Sequence, residues 1–274
     1  MINYRKVFRN MIWILPVMFG VIIMLYPLVS QIYYQSKFSN DIKEFQNEKN
    51  NIESESVKER MKLARFYNDT LDPARMGDPF TKDEKRGREE YARMLEVKEK
   101  IGYISIPSIN QEIPIKAGTG QSVLEECAGH MEGTSLPIGG EGTHTVITAH
   151  RGLPNKRLFT DLDKLKNGDV FYITNLKETL AYKVDQILVV EPDNFDPILV
   201  VKGKDYATLL TCTPYSVNSH RLLVRAERCE LPENYEKEKN VDVYKTHKGQ
   251  IIYIFVGFTL LTAVWIFFIK RRKI

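Results

Sequence analysis

A thiol, an imidazole and a guanidinium stand where this sequence passes between strand-like and turn-like text. Cys212 sits in TLLTCTPYS, His150 in HTVITAHRG and Arg221 in SHRLLVRAER. ATLLT reads as a strand that Thr213-Pro214 ends, which puts Cys212 at a strand end. His150 ends a second strand and Arg221 opens a third, so three strand ends can converge. That set suits acyl transfer. A thiol of ordinary pKa, about 8.5, is mostly protonated near neutrality, and a nearby imidazole or guanidinium favours the thiolate. The thiolate attacks a carbonyl, and Arg221 stabilises the developing oxyanion or holds the substrate. Protonated His150 donates to a leaving amine, and neutral His150 deprotonates an incoming one. No cofactor or metal is required. By residue type alone the same three also read as a small core cysteine, a structural histidine and a surface arginine.

The elements that must position them begin near Ile101. GYISIPSI and QEIPIKAG alternate apolar and polar residues, as half-buried strands do. HTVITAH, DVFYITN, LAYKVDQILVVEP, YATLLTCT and RLLVRAER come next, with turn signals such as GGEG and KNGD between them. Short β-branched and aromatic strands at this spacing predict a mainly β chain, a closed or partly closed barrel over 101–230 with short helices. Its mouth would expose Cys212. Upstream, residues 36–67 carry an intermittent apolar stripe (Ile42, Phe45, Ile52, Val57, Met61, Leu63, Phe66) and predict one or two amphipathic helices. Two Asp-Pro pairs and a glycine make about 68–81 a loop. A further helix is expected over roughly Lys82 to Lys98.

Two apolar runs flank this region, residues 11–29 and 251–269, each 19 residues without a charge. At about 1.5 Å per residue each nearly spans a hydrocarbon core of ~30 Å, and both are expected to cross a membrane. The first lacks a clear small-x-small cleavage site, so it reads as an uncleaved anchor. Arg5, Lys6 and Arg9 precede the first run, and Lys270, Arg271, Arg272 and Lys273 come after the second. The positive-inside rule then places tails 1–10 and 270–274 in the cytoplasm and residues 30–250 outside. The region 30–100 is helical and 231–250 is a juxtamembrane linker. Setting the tails aside, the formal +4 becomes 32 basic against 35 acidic residues, about −3. The basic balance is thus a topology signal and implies no nucleic-acid partner.

Cys127, Cys212 and Cys229 are too few for a disulfide framework, and an odd count outside the cell leaves a free thiol. A Cys127–Cys229 bridge remains open at this level. Cys127, His130, His144 and His150 could be drawn together as a zinc site, but their spacing matches no standard structural pattern. Strand alternation turns His220 to the face opposite Arg221.

Around the three residues the wording resembles the sortases, extracellular cysteine transpeptidases of Gram-positive bacteria. The family signature T-L-x-T-C is matched by Thr208, Leu209, Leu210, Thr211 and Cys212. The family's arginine, about nine residues further on, is matched by Arg221, and its upstream histidine by His150 in TAHRG. The resemblance covers roughly Gly102 to Cys229. AGHMEGTSLPIGGEGTHTVITAHRG, TCTPYSVNSHRLLVRAER and the two-anchor layout resemble the class C, pilus-building members. That class carries a lid with a D-P-aromatic motif, matched by Asp78, Pro79 and Phe80. The resemblance implies that Asp78 engages Arg221 and Phe80 covers Cys212. It further implies cleavage of an LPxTG-like motif between Thr and Gly and transfer of the acyl group to a pilin lysine. Three rivals stand beside that reading. One is a sortase that anchors proteins to cell-wall peptide, another a non-catalytic peptide-binding module, and the third a hydrolytic cysteine protease.

Overall fold

The computed structural model describes residues 4–71, 89–233, 235, 252, 257 and 259, and backbone alone for 4–18, 21, 89 and 90. Eight strands close into a barrel in the order β1-β2-β3-β4-β7-β8-β6-β5. They are β1 (Gly102–Ile106), β2 (Gln111–Ala117), β3 (Ala128–His130), β4 (Thr143–Thr148), β5 (Val170–Thr174), β6 (Thr179–Val190), β7 (Asp205–Thr213) and β8 (His220–Cys229). Seven of them coincide with the alternating segments of the sequence. β3 has three residues, too few to show a period, and pairs in parallel with β2. β4 and β7 are also parallel, so their matched ends lie at the same end of the barrel.

The lumen is filled by one face of each strand. Ile104, Ile113, Ile115, Ile147, Phe171, Ile173, Tyr182, Leu209 and Val224 are all fully buried and form one cluster. Removing such side chains from water contributes roughly 1.5–3 kcal/mol each, which is why the closed wall tolerates polar residues on its outer face.

The helices are α1 (Tyr4–Asn50), α2 (Ser54–Asp69) and the short α3 (Gln121–Glu126); α2, α3 and the part of α1 from Lys37 on pack outside the wall. Phe45, Ile42 and the partly buried Ile52 and Val57 from the expected stripe pack with Tyr103 and Leu176. Asn68 at the end of α2 is tied to the barrel from both ends of its amide. Its Oδ1 accepts from Leu136 N at 2.7 Å, and its Nδ2 donates to Leu136 O at 3.3 Å. The helix expected over 82–98 is, in its described part, a 3-10 segment, Glu89–Leu95. It stops because Lys98 and Glu99 take positive φ to pair Val97 with Lys100. Arg60 holds that segment through Met94 O at 2.6 Å and Glu96 O.

The chain divides into two compact units. One includes Met1–Ser36 and Pro154–Lys156, where Ser30 Oγ donates to Asn155 O and the Lys156 ammonium lies 4.2 Å over the Tyr34 ring. The other, Lys37–Leu153 and Arg157–Val241, holds the barrel. Among the described residues no helix is long and apolar enough to cross a membrane. The first apolar run falls within α1, largely where backbone alone is described, and the second lies outside the described residues apart from isolated positions.

Candidate active site

β7 and β8 run antiparallel with Cys212 directly opposite Arg221 and Thr213 opposite His220. Alternation along β7 sends Ala207 and Leu209 into the lumen cluster, while Leu210 packs in a separate cluster with Leu223 of β8. Cys212 shares Leu210's face and Arg221 shares Leu223's. The sequence places Cys212 at a barrel mouth. The structure instead puts it on the outer face of the wall, near the strand ends, because the lumen is already filled by the alternate residues. Cys212 is 6% exposed and Arg221 8%. The Arg221 guanidinium donates to Asn218 O and His220 O, both at 3.0 Å, which ties it to the β7–β8 turn.

His150 lies two residues past the end of β4 rather than on it. The β4–β7 register pairs Thr148 with Leu210. Beyond it, Ala149 N donates to Leu210 O at 3.3 Å, and Thr211 Oγ1 donates to Ala149 O at 2.7 Å. Continuing this parallel register brings residue 150 level with residue 212. The threonine before the cysteine in TLLTC thus fastens the residue before the histidine. His150 O accepts from Phe159 N at 3.2 Å, so its backbone is held on the loop side as well. Gly152 comes next at φ +89°, and a Cβ there would meet the Tyr215 ring of the β7–β8 turn at 3.0 Å.

Beside Arg221 the connection from β6 to β7 folds over the outer face. A short 3-10 turn, Asp196–Ile198, lays Ile198 against Leu210 and Leu223, with Met131 and Val146 in the same cluster. The small depression left there, with room for about one water, is lined by Val190, Glu191, Asn194, Phe195, Ile198, Leu210, Leu223 and Arg221. His220 points away from the Arg221 face and meets Glu191 at 3.1 Å.

The other candidate residues have structural duties. His144 Nδ1 lies 3.0 Å from Leu199 O, and Nε2 lies 2.7 Å from Thr208 Oγ1. A carbonyl only accepts, so Nδ1 carries the proton and the signature's first threonine donates to Nε2. His130 Nε2 donates to Ser135 O at 2.8 Å, and its Nδ1 lies 2.6 Å from the Tyr91 hydroxyl. Burial pushes both imidazoles down to about 4. Cys127 is buried and its thiol is pushed up to about 12 by desolvation. Cys127, Cys212 and Cys229 are all reduced thiols, with no disulfide among them. Among the described residues no group of histidine, cysteine or carboxylate side chains could hold a metal ion. Asp78, Pro79 and Phe80 lie outside the described residues.

Spacing marks Arg151 only as the start of a turn. In the structure its side chain is 7% exposed and bonded on every side. Nη1 donates to Thr213 Oγ1 and Nε to Thr160 O, each at 3.1 Å, and Nη2 meets Asp163 at 2.6 Å. The one sequence signal was its adjacency to His150.

A family model described as "Sortase domain" matches residues 104–229, the barrel from β1 to the end of β8. Sortase A of Bacillus anthracis is 28% identical over 184 residues, covering 67% of this chain and 82% of that protein. The crystal structure of sortase C-1 from Streptococcus pneumoniae superposes with a TM-score of 0.69 at 54% identity, over 70% of this chain and all of that one. The pilus-related sortase C of Group B Streptococcus gives a TM-score of 0.67 at 57% identity, over 70% of this chain and 97% of that one. A barrel shared at this identity, with the T-L-x-T-C strand inside the matched region, leads to one assignment: the chain belongs to the sortases, a family of cysteine transpeptidases, and its close structural neighbours are class C members.

Proposed function

We propose that Cys212, His150 and Arg221 carry this chain's transpeptidation, with an LPxTG-like sorting motif as donor and a pilin lysine as acceptor. The observation that carries the reading is the pairing of Cys212 with Arg221 across β7 and β8. The Cys212 thiolate attacks the threonine carbonyl, a C–S bond forms, and the electron pair moves onto oxygen beside the Arg221 guanidinium. Collapse breaks the C–N bond, and the glycine amine leaves with a proton from His150. A neutral lysine amine then attacks the thioester and gives a proton back to His150, and the C–S bond breaks to restore the thiolate.

The pilus-related neighbour supports a pilin acceptor. Asp78, Pro79 and Phe80 form the lid over this site. Two membrane anchors, at 11–29 and 251–269, hold residues 30–250 outside the cell with both tails in the cytoplasm. Within the external part, 30–100 is the helical region and 101–230 the catalytic barrel.

The test is product analysis with the full-length protein, a peptide carrying LPxTG, and either a pilin-derived lysine peptide or a cell-wall cross-bridge peptide. An amide to the lysine peptide is expected. An amide to the cross-bridge alone would assign wall anchoring, and free acid in the presence of ample amine would assign hydrolysis.

A further inference from the structure

We infer that Arg151 is a positioning residue that sets the separation of His150 and Cys212. This inference rests on the functional reading above. The two proposed catalytic groups come from different strands, and β4 ends before His150. Past the end of β4, Ala149 N still donates to Leu210 O of β7. Arg151, the next residue after His150, reaches Thr213, the next residue after Cys212. One rigid guanidinium therefore joins the neighbours of both groups.

Its remaining donors go to the loop that supports His150 from the other side. Nε meets Thr160 O and Nη2 meets Asp163. Thr160 Oγ1 also accepts from Gly152 N at 3.3 Å. Phe159, which donates to His150 O, is fully buried in the lumen cluster, so this loop is anchored in the core. The loop is braced further by Asp161, which takes ion pairs from both Arg157 and Lys164. Arg151 thus couples a loop held by the core to the end of β7. A planar five-donor fork can meet three acceptors in fixed directions, and a lysine ammonium on a flexible stem cannot. Asp163 is half exposed, so its pairing adds little by charge, and the geometric tie to Thr213 matters most.

A misplacement of about 1 Å between reacting groups costs a rate factor on the order of 100. In the full-length protein, Arg151→Ala is expected to lower kcat by about 10- to 100-fold with KM within about twofold. Arg151→Lys restores part of that loss. Thr213→Val, which removes one acceptor only, lowers kcat by about 3- to 10-fold, the size of one lost hydrogen bond. Combined with Arg151→Ala it adds nothing further, because both act through the same contact. The pH profile of kcat/KM shifts in both variants, since the His150–Cys212 separation sets their mutual influence. A merely structural role would lower the melting temperature without moving that profile.

Cys212→Ala is run beside them. If it retains transfer, the functional reading fails. If it abolishes transfer while folded Arg151→Ala keeps kcat within twofold and an unchanged profile, the positioning inference is overturned. Should Arg151→Ala not fold, an unchanged rate and profile in Thr213→Val overturns it equally.

Discussion

Cys212 and Arg221 face one another as direct cross-strand partners, on the outer wall of a barrel whose lumen is already full. Direct partners have Cβ atoms about 4.5–5.5 Å apart, so the guanidinium is committed to the thiol's surroundings by the sheet itself. The same guanidinium is steadied by two carbonyls of the β7–β8 turn. A lysine keeps the charge but cannot hold those carbonyls while facing the reacting oxygen. Arg221→Lys should therefore lower kcat by about 10²- to 10³-fold, the usual cost of losing one oxyanion donor. Steady-state kinetics of peptide transfer checks this, and a change confined to KM would assign Arg221 to binding alone.

His150 is proposed to move both protons, so its removal should strike acylation and transfer alike. We expect His150→Ala to reduce turnover by about 10²- to 10⁴-fold. Stopped acylation and single-turnover transfer, measured separately, should fall together. Loss of only one half-reaction would give the other half a different proton carrier.

His130 and His144 predict a stability that depends on pH. Both have folded pKa values near 4, below the usual 6.5, because burial disfavours the cation. The unfolded chain then binds more protons between about pH 6.5 and 4, so stability is fully present above 6.5 and is lost as pH falls toward 4. Melting temperature should drop from pH 7 to 5, a range above the titration of ordinary carboxylates. A flat profile there would mean that the two imidazoles are more solvated than their hydrogen bonds indicate.

Asn68 ties α2 to the barrel just before the segment that carries Asp78. Asn68→Ala would leave Leu136 N–H buried without this acceptor, at a cost of about 1–3 kcal/mol. Urea unfolding checks the size. A change below about 0.5 kcal/mol would show that this amide contributes nothing to docking of the helix.

The barrel was legible because seven of its strands are long enough to alternate. β3 was not, having three residues, and neither were the parallel pairings, which depend on contacts far apart in sequence. Cys212, His150 and Arg221 could be named from residue type and from the T-L-x-T-C wording. Their face could not, because alternation tells that Leu209 and Leu210 point oppositely but not which side the lumen takes. Arg151 is the clearest case of a contact hidden from sequence. Its partners, Thr160, Asp163 and Thr213, come from two separate segments that only the closed fold brings together. His144 looked like a metal ligand by type, and only the structure shows both ring nitrogens engaged with Leu199 and Thr208.

The most direct test of the central claim is the intact mass of the full-length protein after exposure to an LPxTG peptide, with and without an amine, together with mapping of any adduct. We expect an acyl adduct on Cys212 that grows in Asp78→Ala, passes to the amine, and is absent from Cys212→Ala. An adduct on Cys127 or Cys229, or transfer that persists in Cys212→Ala, would contradict the assignment of Cys212 as the nucleophile.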